Sequence, residues 1–499
     1  MDTDRALLLF WNACPELAVF HERLASEELP SLVLTALVGH LADPSVPAAE
    51  LARRTGCPLS VVRHAYHWCQ TSRIVSDLAS SAFYPYRLRY AFAAATVREW
   101  AQEPERFERL LAGQPVLSRT VEIHPSKGTC NYSCAMCLWS DKKALTYTTQ
   151  ALEADGLLTT GAWLRVLREL RAGGAATLVL SGGGEALLNR DVPTIMAAAC
   201  ALGFRVRLYT TGFNLHPHDT DLWAALLGID QVRFSIHSPF ANTYDAITGL
   251  PNRLNALARV VDHITSLLQR RARHQCGPRV GIGFVIQPRN HDQIQPMARF
   301  AAKIGVDYLD LRKDEVDVAE GLTPDQLRVV CDQLNAVRGA ALHGEYGSLV
   351  VDFSDELVSL ANGQRVWRGR MAECRAKYFR PTISPFGILA PCDLKAEPRF
   401  ADSRFNLGMV SRQPVGELVA SLPDHFIPDR CAQCMPSSRT GNAVYAKLLA
   451  DWQRGLGYAD QPFFHSVDTN SPAAVPGDPA KTTREQVAGE AAALASGLA

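Results

Sequence analysis

HPSKGTCNYSCAMCLW, residues 124–139, is the stretch that decides the fold. It places Cys130, Cys134 and Cys137 in the spacing C-x3-C-x2-C. Three thiolates this close along a chain can bind three corners of a cubane iron–sulfur cluster. The fourth iron then has no protein ligand and can bind a small molecule. The spacing therefore predicts a [4Fe-4S] cluster that takes part in chemistry as well as in electron transfer.

The charge balance excludes one class of function. The chain has 499 residues, with 51 Lys and Arg against 51 Asp and Glu, so it carries no formal net charge. A protein that binds nucleic acid mainly by electrostatics would be strongly basic. We therefore expect no nucleic-acid partner. The length indicates roughly two to four domains.

The sequence gives no sign of export or of membrane insertion. The N-terminus, MDTDRALLLFWNAC, is acidic and has only a short apolar run, unlike a signal peptide. No apolar stretch reaches the length that spans a bilayer. We expect a cytoplasmic protein without a membrane partner. In a reducing cytosol, clustered cysteines indicate metal or redox sites before disulfides.

Residues 1–115 are predicted to form a helical domain. The segment 47–77, PAAELARRTGCPLSVVRHAYHWCQTSRIVSD, shows an apolar-periodic helix, a turn at Gly56–Pro58 and a second periodic helix. A strand pair at Ile74–Asp77 and Ala82–Tyr86 would make this a winged helix, similar to the N-terminal domain of small-molecule O-methyltransferases. DNA readout is one interpretation. We favour a role in docking, in dimerisation or as a substrate lid, because the second helix has few basic residues for contacts with DNA phosphates. These residues are Arg63, His64, His67 and Arg73.

Residues 119–318 alternate between strand and helix, which is typical of a parallel sheet. Six such units fit a partial (β/α)6 barrel, whose chemistry lies at the C-terminal ends of the strands. The three cysteines directly follow the first predicted strand. The predicted strands are Thr120–His124, Thr177–Ser181, Arg205–Thr210, Gln231–His237, Val280–Ile286 and Tyr308–Arg312. The predicted helices are Thr159–Arg171, Asp191–Leu202, Asp219–Leu227, Leu254–Arg271 and His291–Ile304.

The rest of the chain divides into two further parts. Residues 320–465 are mixed in pattern and are expected to form an α+β domain. Residues 466–499 are rich in Ala, Pro, Ser and Gly, and we expect a disordered tail.

The barrel region resembles the radical S-adenosylmethionine (SAM) enzymes. The cysteine spacing is that family's cluster motif, and LVLSGGGEALLN, residues 178–189, matches its glycine–glycine–glutamate motif at Gly183, Gly184 and Glu185. LYTTGFNL closes the third predicted strand and VRFSIHS the fourth. Four matching segments in chain order on alternating strands and helices make the resemblance specific.

The resemblance implies SAM as a cofactor on the open iron. One electron from the reduced cluster would break the sulfonium carbon–sulfur bond, and the 5′-deoxyadenosyl radical would remove a hydrogen atom from the substrate. An external donor such as flavodoxin or ferredoxin would supply the electron. Two positions depart from the family, since Met136 stands where an aromatic residue is frequent and Ala186 where proline is frequent. The implied SAM-binding residues are Met136, Gly183, Gly184, Glu185, Thr210 and Ser235.

A second set of cysteines lies in the third region. Gly387 precedes one of them in TISPFGILAPCD, and the last two form a C-x2-C pair. The pattern resembles the SPASM/twitch extension of radical SAM enzymes, although it has too few cysteines for two auxiliary clusters. It implies one fully ligated auxiliary [4Fe-4S] cluster, and a zinc site is the alternative. The residues of this set are Cys374, Cys392, Cys431 and Cys434.

Polar residues gather at the predicted C-terminal strand ends. Together they predict a pocket for a polar, hydroxyl-rich or amine-bearing substrate rather than a lipid. Each one alone could equally have a surface or structural role. The candidates are His124, Lys127, Tyr209, His237, Gln287, Arg289, Asp310, Arg312 and Asp314.

Three functions remain open from the sequence. The first is an enzyme that abstracts hydrogen from a sugar or aminoglycoside and oxidises or epimerises a carbinol carbon. Epimerisation needs a cysteine facing the substrate, and Cys200, Cys276 and Cys331 all map to helices or strand starts, which favours oxidation. The second is a peptide-modifying SPASM enzyme, and the third is a DNA-binding iron–sulfur sensor. A homodimer through the N-terminal domain is also predicted.

Overall fold

A computed structural model gives the fold of most of the chain. It describes residues 31–42, 46–71, 104–126, 130–134, 136–137, 156–251, 254–314, 321–354, 357, 373–396 and 405–421, together with 442, 445, 446, 449, 450 and 453. The predicted tail, 466–499, and the predicted strand pair, 74–77 and 82–86, lie outside these residues.

One nine-stranded sheet organises the described chain, with its strands in the order β7-β6-β5-β4-β3-β2-β1-β8-β9. Strands β1 to β7 run parallel in chain order, β8 pairs parallel with β1, and β9 pairs antiparallel with β8. This is an open barrel of mixed α/β class, as predicted. The strands are β1 Thr120–Ile123, β2 Thr177–Leu180, β3 Arg205–Thr210, β4 Gln231–Ser235, β5 Arg279–Ile286, β6 Tyr308–Lys313, β7 Val350–Phe353, β8 Thr382–Ile383 and β9 Leu389–Ala390.

Helices cover the outer face of this sheet and flank its first strand. All five predicted barrel helices are present, and Pro193 lies in the first turn of its helix, where its fixed φ suits the helix start. The helices are α1 Ser31–Ala42, α2 Ala48–Thr55, α3 Leu59–Thr71, α4 Pro104–Leu111, α5 Thr160–Ala172, α6 Val192–Ala201, α7 Thr220–Gly228, α8 Ala241–Thr248, α9 Ala256–His274, α10 Ile294–Ile304, α11 Pro324–Leu342 and α12 Val415–Ser421.

Local signals set where these helices begin. The side chain of Thr159 accepts a hydrogen bond from Ala162 N at the start of α5. Thr323 and Gln326 form a reciprocal capping box at the start of α11, with Pro324 in its first turn. Both arrangements satisfy backbone donors that a first helical turn leaves without partners.

Alternation along the strands separates two kinds of face. In β3 and β4, Val206, Leu208, Val232 and Phe234 point outward and are fully buried against the helices. The residues between them, among them Arg207, Tyr209 and Arg233, point to the other side, because successive side chains of a strand alternate. We call this second side the inner face. It is polar, and the hydrophobic core lies outside it.

The sheet continues past the predicted domain boundary at 318–320. Helix α11 and strand β7 add a seventh parallel unit, because Tyr308–Leu311 pairs with Val350–Phe353. Strand β8, from the predicted third region, extends the opposite edge beside β1. The six strands predicted from the sequence are confirmed to within two residues at each end. The domain limits themselves stay predictions.

The N-terminal helices dock on the barrel. Helices α1 to α3 pack on one another, and α3 packs on α11 and β7. His64 is buried, and its Nε2 lies 3.0 Å from Leu349 O. Arg63 faces Asp307 and Asp352 of the barrel. This face of α3 therefore packs against the barrel, as the docking interpretation expects. His64 is buried in this contact and is not available to bind DNA.

No helix in the described parts of the chain combines the length and the apolar character that crossing a bilayer requires.

Two glycines give a test of how tightly the inner face is packed. A methyl group at Gly281 in β5 would overlap the ring of Tyr308, whereas one at Gly161 would approach nothing closer than Thr159 Oγ1 at 3.9 Å. We expect Gly281→Ala to lower the free energy of unfolding by about 1–3 kcal/mol. Gly161→Ala should be neutral or slightly stabilising. Chemical denaturation of both variants checks this, and equal stability of the two would contradict the packing described.

Candidate active site

The cysteine motif follows β1 at the C-terminal edge of the sheet. Cys130 is exposed, and Cys134 and Cys137 are half-buried. Cys137 N donates to Cys134 O at 3.1 Å, and Tyr132 N donates to Cys130 Sγ at 3.4 Å. These two hydrogen bonds turn the loop tightly between Cys130 and Cys137.

The three thiols fit the cluster that the spacing predicts. Burial raises the pKa of the Cys134 thiol to about 12, and the neighbouring Cys137 and Cys130 thiols add to the rise. Bound iron would hold this sulfur as a thiolate, which is the form that iron ligation needs. Among the described residues, no three His, Cys, Asp or Glu side chains are close enough to share a single metal ion. A cubane does not need such closeness, because each thiolate binds a different iron.

Helix α8, which the sequence analysis missed, anchors this loop. Tyr132 OH and Tyr244 OH are hydrogen-bonded at 2.7 Å, and both tyrosines are buried. Ser133 N donates to Thr248 O at 2.8 Å. Gly249 follows at φ 68° against Ser133, where a side chain would collide with Ser133 Oγ. The cysteine loop is thus fixed to α8 by side-chain and backbone contacts.

The glycine segment after β2 packs against His124 and Ser126, which directly follow β1. Gly182, Gly183 and Gly184 all have positive φ, at 42°, 65° and 130°. A methyl group at Gly182 would overlap the His124 ring, and one at Gly183 would come within 3.0 Å of Ser126 O. Only glycine allows this backbone path. The path keeps side chains away from this segment, as the cofactor cradle implied for this motif requires.

Glu185 joins the ends of β2 and β3. Its carboxylate accepts from Thr210 Oγ1 at 2.6 Å, from Thr211 N at 2.6 Å and from Leu187 N at 3.0 Å. The side chain is 2 % exposed. The structure therefore gives Glu185 a positioning role, and its predicted contact with the ammonium of SAM stays a prediction.

Met136, Gln287 and His237 lie in one connected group. Gln287 Nε2 donates to Met136 Sδ at 3.6 Å, which places the end of β5 beside the cysteine loop. Asn290 accepts from Gln287 N at 2.7 Å and donates to His237 O at 2.7 Å. Ser235 is the last residue of β4 and pairs with Gly283 in β5. Because Gly283 has no side chain, the β5 strand leaves the Ser235 side chain accessible from that side.

An ion-pair group occupies the inner face. Arg233 Nη1 donates to Asp310 at 2.6 Å, and Arg312 Nε donates to the same carboxylate at 3.0 Å. The Arg233 guanidinium lies 3.6 Å from the centre of the Tyr209 ring. The sequence analysis named Tyr209, Asp310 and Arg312 but missed Arg233, because it considered strand ends and Arg233 lies within β4.

A second buried group begins at Glu122 of β1. Its carboxylate lies 3.0 Å from His124 Nε2, accepts a hydrogen bond from Ser181 Oγ and pairs with Arg380 Nε at 2.5 Å. Arg380 lies two residues before β8, and its guanidinium is 5.6 Å from the Tyr209 ring centre. The sequence analysis missed Glu122 and Arg380. The inward position of Glu122 follows from strand alternation, whereas that of Arg380 does not.

The electrostatics of the inner face are dominated by these arginines. Burial alone would raise the pKa of Tyr209, but the Arg233, Arg380 and Arg312 guanidiniums lower it below its usual value. Burial and Arg233 together lower the pKa of His237 to about 4, so this imidazole is neutral at physiological pH.

The structure thus gathers part of the predicted pocket. Tyr209, Asp310 and Arg312 meet on the inner face, and His124 joins the Glu122 group. Arg289 is exposed, with Nη1 3.5 Å from Ala246 O, and is not brought to this group. Asp314 is buried just beyond β6. Lys127 lies outside the described residues.

The second cysteine set is described only in part. Cys374 and Cys392 are half-buried on either side of the β8–β9 hairpin, while Cys431 and Cys434 lie outside the described residues. Thr382 pairs with Ala390, so continuing the register would bring Cys392 beside Arg380. The auxiliary cluster stays a prediction.

Part of the barrel matches a known protein family. Residues 126–301 match the family model of the radical SAM superfamily. The chain is 24% identical over 287 residues to dTDP-4-amino-4,6-dideoxy-D-glucose ammonia-lyase of Streptomyces venezuelae, covering 56% of each protein. It is 27% identical over 183 residues to a probable GTP 3′,8-cyclase of Metallosphaera sedula, covering 36% of this chain and 51% of that protein. The chain therefore matches about half the length of each of these relatives.

Two solved structures align with much of the chain at low sequence identity. Streptococcus suis SuiB bound to S-adenosylmethionine aligns with a TM-score of 0.47 and 14% identity, over 75% of this chain and 83% of that one. BtrN in complex with AdoMet and 2-DOIA aligns with a TM-score of 0.28 and 11% identity, over 65% and 90%.

The tyrosine pair allows a direct test of how the cysteine loop is held. Tyr244→Phe leaves the buried Tyr132 hydroxyl without its partner, so we expect the free energy of unfolding to fall by about 1–3 kcal/mol. Iron content after anaerobic reconstitution should fall as well, because the loop is less fixed. Tyr346→Phe is the control, since Tyr346 is buried and no hydrogen bond of its hydroxyl is found among the described residues. Equal losses in the two variants would contradict the anchoring role.

Proposed function

We propose that this chain, which contains a radical SAM domain at residues 126–301, removes a hydrogen atom from a carbon of a small polar substrate of the sugar or aminoglycoside type. The domain's cofactors are SAM and a [4Fe-4S] cluster. When bound, they supply one-electron cleavage of the sulfonium carbon–sulfur bond and, from it, hydrogen-atom removal. Cys130, Cys134 and Cys137 would hold the cluster. Gly183, Gly184, Glu185, Thr210, Ser235 and Met136 are the residues we propose for SAM.

The charged inner face is the observation that carries this proposal. Tyr209, Arg233, Asp310 and Arg312 meet there, and their hydrogen-bonding groups suit hydroxyl and amine substituents. Most apolar side chains of the described strands pack outward under the helices, so this charged side suits a polar substrate better than a lipid. In the proposed reaction these residues orient the substrate carbon and limit access of water.

Oxidation of a carbinol carbon is the outcome we favour over epimerisation. Epimerisation requires a cysteine thiol that returns hydrogen on the opposite face of the substrate. Cys200 lies on α6 with its thiol toward Gly228 O at 3.5 Å, Cys276 follows α9 and Cys331 lies on α11. Cys200 and Cys331 lie on helices and Cys276 lies between α9 and β5, so none of the three lies on a strand of the sheet. The similarity to an ammonia-lyase adds elimination as a further outcome of the same hydrogen removal.

The alternative functions have less support. The first described elements are helices, whereas the peptide-binding winged helix of peptide-modifying enzymes opens with strands. A DNA-binding sensor would need the face of α3 that His64 and Leu349 hold against the barrel. We further propose a cytoplasmic location, an external donor such as flavodoxin or ferredoxin, and a homodimer through residues 1–115.

Isotope transfer tests the proposed function. Reconstituted protein, SAM and a strong reductant are incubated with amino sugars and sugars deuterated at single carbinol carbons. We expect deuterium in 5′-deoxyadenosine from one labelled position. Solvent hydrogen in the product would indicate epimerisation, and a carbonyl product would indicate oxidation. Cys130→Ala should abolish 5′-deoxyadenosine formation, and SAM cleavage retained by that variant would refute the cysteine assignment.

The auxiliary cluster has its own test. Cys392→Ala should leave SAM binding intact but reduce turnover, since it removes one of four proposed thiolate ligands. Iron per chain should fall relative to the wild-type protein. Cys331→Ala is the matched control, because this cysteine lies on α11 away from the hairpin. Iron content unchanged by Cys392→Ala would argue against a second cluster.

A further inference from the structure

A buried polar group connects the later part of the chain to the glycine segment after β2. Its centre is Glu122, whose carboxylate accepts a hydrogen bond from Ser181 Oγ and lies 3.0 Å from His124 Nε2. Arg380 Nε forms an ion pair with the other carboxylate oxygen at 2.5 Å. We call these four residues the Glu122 group. Its members come from β1, from the end of β2 and from the segment before β8.

His124 and Ser181 bring this group into contact with the glycine segment. Ser181 directly precedes Gly182 in the chain. The His124 ring lies against Gly182, because a methyl group there would overlap His124 Nε2. A methyl group at Gly183 would lie 3.3 Å from His124 Cβ. The position of the ring therefore limits the path of this backbone, and the contact of the ring with Glu122 fixes its position.

Glu122 is ionised in this group. Burial alone would raise the pKa of its carboxyl, but Arg380, together with His124 and Ser181, lowers that pKa to about 2. The Glu122 side chain is only 1% exposed, and a carboxylate charge is costly to bury without a cation. Arg380 supplies that cation. The other titratable groups that act on Arg380 are Tyr209, Asp393 and Arg312.

Arg380 reaches Glu122 from beyond the six predicted strand–helix units. Strand β8 pairs with β1, where Glu122 N donates to Pro381 O and His124 N donates to Ile383 O, both at 2.9 Å. These two backbone hydrogen bonds fix the segment that carries Arg380 beside β1. The predicted third region therefore completes a group that contacts the glycine segment.

We propose that Arg380 is a positioning residue for the SAM site. It neutralises buried Glu122, which then holds the His124 ring against the glycine segment. The inference rests on the proposed function, because Gly183 and Gly184 are residues proposed there for SAM. Arg380 does not touch the cofactor and acts through Glu122 and His124. Without its charge a buried carboxylate is left unpaired, and the group that fixes the glycine segment must rearrange.

The SAM affinity of anaerobically reconstituted protein tests this role. Arg380→Gln should raise the dissociation constant of SAM, measured by anaerobic equilibrium dialysis, by about tenfold or more, as loss of a supporting partner behind a binding group commonly does. Arg165→Gln is the matched control. Arg165 of α5 pairs with Glu169 and donates to Val410 O, so this variant breaks a different contact to the third region. Its SAM affinity should equal that of the wild type.

A second substitution separates the charge of Arg380 from its packing. Glu122→Gln removes the carboxylate charge and keeps a carbonyl oxygen for Ser181 and His124. Added to Arg380→Gln, it should restore part of the SAM affinity, because no buried charge is then unpaired. If Arg380 only filled space, the two losses would add. If Arg380→Gln fails to fold, Arg380→Lys replaces it and should lose affinity by a smaller factor, since it keeps the charge but not the planar fork.

Hydrogen exchange gives a readout that does not need the cofactor. Without SAM, the amides of residues 180–188 should exchange faster in Arg380→Gln than in the wild type or in Arg165→Gln. Wild-type SAM affinity in Arg380→Gln, an equal loss in Arg165→Gln, or no recovery in the double variant would overturn the inference. A wild-type protein that binds no SAM would refute the proposed function instead. Hydrogen exchange would then decide the role of Arg380, and unchanged exchange in Arg380→Gln would refute it.

Discussion

Alternation of side chains along seven parallel strands is the constraint on which the rest of this structure depends. It sends one row of residues outward into a continuous apolar core beneath the helices. The other row faces inward and is free to be charged. The outer face of the sheet therefore forms the hydrophobic core that stabilises the fold, and the inner face carries the polar groups that we propose bind the substrate. Inner-face charges such as Arg233 and Asp310 then hold each other in place without disturbing the core.

The cysteine loop depends on elements that are distant in sequence. Its tyrosine bonds to α8 after β4, and its methionine contacts Gln287 after β5. The glycine segment after β2 packs on His124 and Ser126, which lead into the loop. Parallel strands make this convergence possible, because all their C-terminal ends meet at one edge of the sheet. Strand β8 adds Arg380 from a later region, so the inner face is complete only with residues beyond the first six units.

The sequence predicted local features well. Strand positions followed from apolar runs bounded by turn residues, and the glycine segment after β2 was recognised by its motif. Helix α8 was missed because eight residues with two threonines and an isoleucine show no clear helical period. Glu122 and Arg233 were missed because they lie within strands whose termini alone were searched. Arg380 could not be found, since its contact with Glu122 is set by the pairing of β8 with β1 and not by any local pattern.

Electron paramagnetic resonance of the reduced, anaerobically reconstituted protein tests the central claim most directly. That claim is a cluster held by Cys130, Cys134 and Cys137 with one iron open to SAM. The account predicts that adding SAM changes the cluster signal and that 15N in the SAM amino group produces hyperfine coupling to it. A spectrum identical with and without SAM, from protein that contains the full complement of iron, would contradict it.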